Sequence, residues 1–193
     1  VPNTSATGGT LTQVAGPLES IDLRRFIGTA LAGLTGIATT LVRPSWQANP
    51  PPVPGIDVDW LAFAEQSRRA DYDAYQSTPL TGLVSNQTLH EELDYLLSFY
   101  GPSCVAISSA LRDAAFISQN REAFKLAGMA VVGFSNITRA PELVNDRWFD
   151  RADMTMTIRR EIRRQYSILS FVSANGTIHA NRDVSTLTRT FTS

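Results

Sequence analysis

Apolar positions along the chain recur with two different periods, and the switches between them mark the elements. Leu23, Phe26/Ile27, Ala30/Leu31 and Leu34 keep the spacing of one helical face. Ser20 stands where an N-cap belongs and Gly36 where a helix stops, so the first predicted element is a helix between them. A short strand, Ile37–Val42, is predicted before Pro44. Asp59–Gln66, with Trp60, Leu61 and Phe63, reads as a second strand, and residues 68–88, full of turn formers, as a loop or loose strand pair. The stretch Leu89–Phe99 fits both periods; strand is preferred because Phe99-Tyr100-Gly101-Pro102 ends it abruptly. A helix from Ser103 to about Ser118 follows, then a shorter one over Arg121–Ala127 stopped by Gly128, then a valine-rich strand over Met129–Ile137.

The clearest pattern comes next. Met154, Met156, Ile158, Ile162, Tyr166 and Ile168 share one parity, while Thr155, Thr157, Arg159, Glu161, Arg163 and Gln165 share the other. That is one long strand with an apolar and a charged face. Arg160 and Arg164 fall on the apolar parity, which predicts that the strand leaves the core there. Leu169–Ser173 would continue it or pair back, and Ala174-Asn175-Gly176 signals a tight turn. Both ends of the chain, VPNTSATGGTLTQVAGP and VSTLTRTFTS, are small and polar and read as arms ordered only against a neighbour. The expected organisation is a flexible arm over 1–19, one domain over 20–182 and a tail over 183–193.

Composition narrows the function more than the fold. With 193 residues and 43% apolar content the chain has enough material for one real core. The net charge of −1 gives no reason to expect nucleic acid or an anionic membrane as partner, but it hides an asymmetry. Ten acids face five arginines up to Tyr100, whereas seven arginines face Asp150, Asp153 and Glu161 between Arg147 and Arg182. Opposed blocks of this kind suit head-to-tail contact between copies, and equally pairing within one fold. The single cysteine, Cys104, excludes an internal disulfide and any thiolate metal cluster, and fits a reducing compartment. No apolar run approaches a membrane span, and the start of the chain lacks the layout of a secretion signal.

Candidate chemistry is sparse. His90-Glu91-Glu92-Leu93-Asp94 opens like the HExxH zinc motif, but Asp94 replaces the second histidine. No glycine-rich phosphate loop exists, and Lys125 is the one lysine. Ser108-Ser109 lack a nucleophile elbow. Cys104 at a helix start is a conceivable reactive thiol, but a buried small residue is the better reading. No catalytic, metal-binding or cofactor-binding set emerges, so an enzyme is not expected. Arg159, Arg160, Arg163 and Arg164 could meet phosphates, but no aromatic residue interleaves them and Glu161 sits among them, which favours ion pairs between subunits. The expected acids of the next copy are Asp57, Asp59, Glu91 and Glu92.

Residues 43–63 read RPSWQANPPPVPGIDVDWLAF, a proline stretch bracketed by two tryptophans. It predicts a stiff strap on the domain surface with Trp46 and Trp60 as buried structural anchors; an exposed ligand for a proline-binding partner is the competing reading. The order Arg-Pro-x-Trp-Gln-x-x-Pro-Pro-x-x-Pro, then Asp-Trp-x-Ala-Phe, resembles the tailed-bacteriophage neck or tail-terminator family. So do His-Glu-Glu-Leu-Asp…Ser-Phe-Tyr-Gly-Pro, Ser-Gln-Asn-Arg-Glu-Ala-Phe-Lys-Leu-Ala-Gly-Met and Pro-Glu-Leu-Val-Asn-Asp-Arg-Trp…Arg-Ala-Asp-Met, and the resemblance covers roughly Ile21 to Asn181. The resemblance implies an α+β fold, a mostly antiparallel sheet with helices packed on one face; the extended arms at both ends lie outside it and are read from the sequence alone. It also implies a structural virion protein assembled in the host cytoplasm, without cofactor and without a membrane. Its copies would form a ring, six-fold in such proteins, that ends the tail tube and joins it to head-completion or connector proteins. Tail sheath would be a further neighbour, and genomic DNA would cross the lumen without sequence-specific binding. A head-completion or connector ring, or a sheath-attachment protein, is the alternative position in the same neck.

Overall fold

A computed structural model describes residues 3–78, 84–144, 146–168, 175–182 and 185–192. In chain order the elements are β1 (Gln13–Ala15), α1 (Ser20–Thr35), β2 (Val42–Pro44), β3 (Trp60–Ala70), β4 (Tyr75–Ser77), β5 (Ser85–Tyr100), α2 (Cys104–Ala114), α3 (Ser118–Leu126), β6 (Met129–Phe134), β7 (Thr138–Arg139), β8 (Glu142–Val144), β9 (Arg147–Phe149), β10 (Arg151–Tyr166), β11 (Asn175–Arg182) and β12 (Ser185–Thr192). They belong to two compact units. The larger takes Pro17–Ala74 and Leu89–Ile162; the smaller takes Val1–Gly16, Tyr75–Thr88 and Arg163–Ser193.

In the larger unit the strand order is β10-β5-β3-β2, with β6 and β7 also paired to β10. β2 runs parallel to β3, whereas β3 and β5, and β10 with β6 and β7, are antiparallel. β5 and β10 are antiparallel too, because their contacts run in opposite sequence order: Asp94 meets Thr157, Glu92 meets Arg159 and Glu91 meets Arg160. One face of this sheet carries the core. Leu93, Tyr95, Leu97 and Phe99 of β5 and Ala152, Met154, Met156 and Ile158 of β10 pack with Leu23, Ile27 and Leu31 of α1, Leu111 of α2 and Phe124 of α3. The period-two pattern of each strand therefore sets which side chains meet the helices. The fold is α+β, as the resemblance implied, with its helices on one face of a mostly antiparallel sheet.

In the smaller unit β1 pairs with the last residues of β10, Gln13 opposite Tyr166, and Ser5 N–H donates to Ser167 O at 3.1 Å. β4 pairs with the first residues of β5, and β11 with β12 along their whole length.

Several expectations are corrected. Ser20 does not cap α1: it is the first helical residue, with φ +49, and the capping position belongs to Glu19, which makes no side-chain cap bond. The Glu19 carboxylate is held elsewhere, by two arginines. The strand expected over Ile37–Val42 is a 3-10 turn at Thr39–Leu41, and pairing starts only at Val42. The helix expected up to Ser118 stops at Ala114, because Asn120 Nδ2 donates to Ala114 O at 2.8 Å and Ile117 is extended. A short amide side chain thus replaces the next helical turn. Asn175 and Gly176 are not a tight turn but strand residues facing Thr192 and Phe191. Leu169–Ser173 and Ala174 lie outside the described residues.

Candidate functional site

A bulge decides where the charges of β3 point. Glu65 lies opposite Tyr95, and after a shift in register Arg68 lies opposite Leu93, so both face the helices. Strict alternation would have separated them. There they join Arg160 of β10 and Glu91 of β5, which are 2% and 4% exposed. Arg160 Nε donates to Glu91 Oε1 at 2.6 Å, Nη1 to Leu18 O at 2.6 Å and Nη2 to Glu19 Oε1 at 2.8 Å. Arg68 bridges Glu65 at 2.9 Å and Glu19 at 2.9 Å, and it lies 3.5 Å from Glu91. Burial raises the Glu19 carboxyl, but the Arg68 and Arg160 guanidiniums outweigh it and hold it below the usual carboxylate range. Hydrogen bonding to Glu65 pushes Arg68 up, and burial pushes the Tyr95 hydroxyl up. The cluster ties the start of α1 to the middle of the sheet.

The opposite face of the sheet carries a second network. Arg159 bonds Asp71 at 2.9 Å and Glu92 at 3.3 Å, and Arg69 bonds the same Glu92. Asp94 accepts from the Ser67 and Thr157 hydroxyls, both at 2.7 Å, and those two bonds lower its carboxyl. Arg69 lowers Glu92 in the same way. Farther along that face Trp60 stacks on Tyr100, centroids 4.1 Å apart and planes within 6°, with Arg43 over the indole and Arg151 over the phenol ring. Arg151 is held by Asp153 at 2.8 Å and by Glu142 at 3.4 Å.

The expected site residues therefore separate. Arg159 and Arg160 find their acids, Glu92 and Glu91, within one chain, and Arg160 does not leave the core. The reason is that Glu91 occupies the same apolar parity on β5 and meets it there. Arg163 is exposed, and Arg164 Nε donates to Gln13 Oε1 at 3.0 Å. Asp57 is exposed, whereas Asp59 Oδ1 accepts the Ser103 N–H at 2.8 Å at the start of α2. Trp60 is half-buried in the stack, but Trp46 is 79% exposed with φ +55 and packs nothing down. The strap is fixed by a residue that sequence reasoning missed. Arg43 Nη1 donates to Pro52 O at 2.7 Å while its guanidinium lies over Trp60. Replacing Arg43 with alanine is expected to remove about 1 kcal/mol and to speed amide exchange across residues 47–56 several-fold. Trp46→Ala should stay within about 0.5 kcal/mol of the parent in the same unfolding titration.

The three groups considered as nucleophile or base are placed as follows. Cys104 is buried, and burial pushes its thiol up, away from the thiolate a nucleophile needs. Ser108 is buried and donates to Val105 O at 2.9 Å. His90 stands at the surface 4.0 Å from Glu161. Among the described residues no three His, Cys, Asp or Glu side chains are placed to hold a metal ion, and no helix is long and apolar enough to cross a membrane.

Comparison with known families supplies the decisive observation: residues 22–182 match the model of the phage neck terminator proteins. The chain belongs to that family. No curated protein matches it. For a phage neck terminator protein, the described geometry shows two networks of paired charges rather than a reaction centre. One joins β3, β5 and β10 to the start of the first helix, and the other joins Arg69, Glu92 and Arg159 across the same three strands. The match begins at Asp22 and so covers the core-forming helices and strands of the larger unit.

Proposed function

We propose that the protein forms a ring in the virion neck, ends growth of the tail tube and joins the tail to the head-completion or connector proteins. The lumen of the ring passes the genome. The family match over the whole core carries this reading, and the charge geometry supports it. Arg159 and Arg69 are compensated by Glu92 and Asp71, so among the described residues these two arginines offer DNA no free line of cations. Passage without binding needs that property. Of the charges considered for contacts between copies, Asp57 and Arg163 are exposed and suit a heterologous interface, which closes into a ring when the rotation between copies is right. Native mass and electron images of the purified protein test the reading. A closed ring with a central channel, hexameric in the simplest case, is expected. A compact dimer with two-fold symmetry would overturn it.

A further inference from the structure

The two sides of the larger unit's sheet are protected unequally. One edge is β2, three residues long and closed by Pro44, which cannot donate to a further strand. On the opposite side β6 pairs with β10 and, among the described residues, with no strand beyond it. Proteins usually guard such an edge with a lysine, a proline or an inward-pointing charge. The β6 sequence, Met129-Ala130-Val131-Val132-Gly133-Phe134, has none of these. Its register shift falls at Thr157/Ile158, so Met129–Val131 keep regular pairing with Arg160, Arg159 and Ile158. Met129 and Val131 are buried in the core, whereas Val132 is 53% exposed.

α3 flanks this open edge. Gly128, with φ +71, turns the chain from α3 into β6, and an open hollow of about 330 Å³ lies between them. Arg121, Glu122 and Lys125 line its helical wall, and Met129, Ala130 and Val131 its strand wall. Phe124 is the buried residue of α3, which leaves the three charged residues on a flank of the helix. All three are exposed, and among the described residues none takes part in an ion pair. The wall carries two cations and one acid, so an occupant with two carboxylates complements it. Spacing agrees. Arg121 and Lys125 are one helical turn apart, a rise of about 6 Å. Alternate residues of a strand share a face and stand about 6.7 Å apart.

We infer that the open edge of β6 binds an extended segment of a partner protein as an added strand. Its backbone pairs along Met129–Val131, and carboxylates on alternate residues meet Arg121 and Lys125. The partner is another protein rather than a second copy. This chain has three carboxylate pairs at positions i and i+2: Asp57/Asp59, Asp71/Asp73 and Glu92/Asp94. Each has a member already bonded within its own copy. Asp59 accepts the Ser103 N–H, Asp71 and Glu92 bond Arg159, and Asp94 accepts from Thr157. The inference goes beyond the ring and holds for a single copy as well.

Fluorescence anisotropy of the 193-residue chain with a labelled peptide, Ser-Thr-Val-Glu-Val-Glu-Val-Thr, tests it. Binding is expected. Replacing both glutamates with lysine should weaken it about tenfold or more, and so should N-methylation throughout the Val-Glu-Val-Glu-Val core, which keeps the charge but removes the backbone donors. The exposed double variant Arg121→Glu with Lys125→Glu should invert the preference and bind the lysine peptide better, a gain that unfolding cannot mimic. Glutamate and lysine peptides that bind equally, N-methylation without effect, or no binding at millimolar peptide overturn the inference. So does a two-fold dimer whose sedimentation is unchanged by excess peptide, which would place a second copy on the edge. Native mass keeps this reading apart from the ring. A monomer that binds the peptide overturns the ring alone, and a ring that ignores the peptide overturns the added strand alone.

Discussion

Arg160→Ala is expected to destabilise the larger unit by about 3–5 kcal/mol, a large share of the stability of a domain of this size. The side chain is almost fully buried, and all three guanidinium nitrogens are committed, to Glu91, Leu18 O and Glu19. Truncation leaves the Glu91 carboxylate in a low-dielectric site with Arg68, 3.5 Å away, as its remaining cation. The loss comes from the stranded charge more than from the lost bond, so the paired replacement Arg160→Met with Glu91→Leu should recover much of it. Urea unfolding of the parent, the single and the double variant measures this directly. A single variant within 1 kcal/mol of the parent would show that water reaches the cluster. The two networks together predict an acid limb. Glu19, Glu92 and Asp94 all have folded carboxyls below their ordinary values. Their contribution is therefore present above the unfolded values and is lost as pH falls below about 4.5. Glu19→Gln should flatten that limb and leave stability near neutral pH lower than in the parent.

Gly101→Ala should be nearly as damaging, at about 2–4 kcal/mol, through backbone strain added to overlap. Gly101 has φ +106, where a side chain is strained whatever the space around it. A Cβ there would lie 2.5 Å from Asp59 Oδ1 and 2.8 Å from both Asp59 Cα and Val58 O. Two of these three atoms are backbone, so the segment before β3 has to move. Asp59 is also the group that accepts the Ser103 N–H, and Gly101 N–H itself donates to Asp150 O at 3.1 Å. Displacement would therefore disturb the end of β5, the start of α2 and the entry to β10 together. Asp59→Ala removes the carboxylate alone and should cost about 1 kcal/mol, the usual value of a lost cap. If the two variants unfold at the same urea concentration, overlap with the backbone is not the cause.

Much of the fold was legible because burial on one side of a strand repeats with period two. The long strand around Met154–Ile162 and the strand over Leu89–Phe99 were both readable from parity, and the helix ending at Gly36 from its spacing and its terminator. Arg160 shows where that reading stops. Its place on the apolar parity was visible, but the same observation on Glu91 lies 69 residues away, and nothing local says that the two strands are neighbours. Taken alone, a buried arginine is too unfavourable to expect, so leaving the core was the cheaper assumption. Arg68 was hidden more deeply, because only the bulge after Glu65 turns it toward the helices. Trp46 erred in the other direction: its size argued for cover, whereas the turn formed by Ser45 and Gln47 holds it in water.

By itself, then, the chain determined the types of its long elements, the apolar face of the strands around Leu93–Phe99 and Met154–Ile158 and, through the sum of several ordered segments, its family. Those properties depend on neighbours a few residues apart or on a pattern carried by the sequence itself. Tertiary structure alone decided which charges meet. The opposed acidic and basic blocks pair within one copy at Arg159 and Arg160, and this follows from the register of β5 against β10 and one inserted residue in β3. Ion pairs act over a few ångströms in space, and distance in space between residues far apart in the chain is set only when the sheet closes.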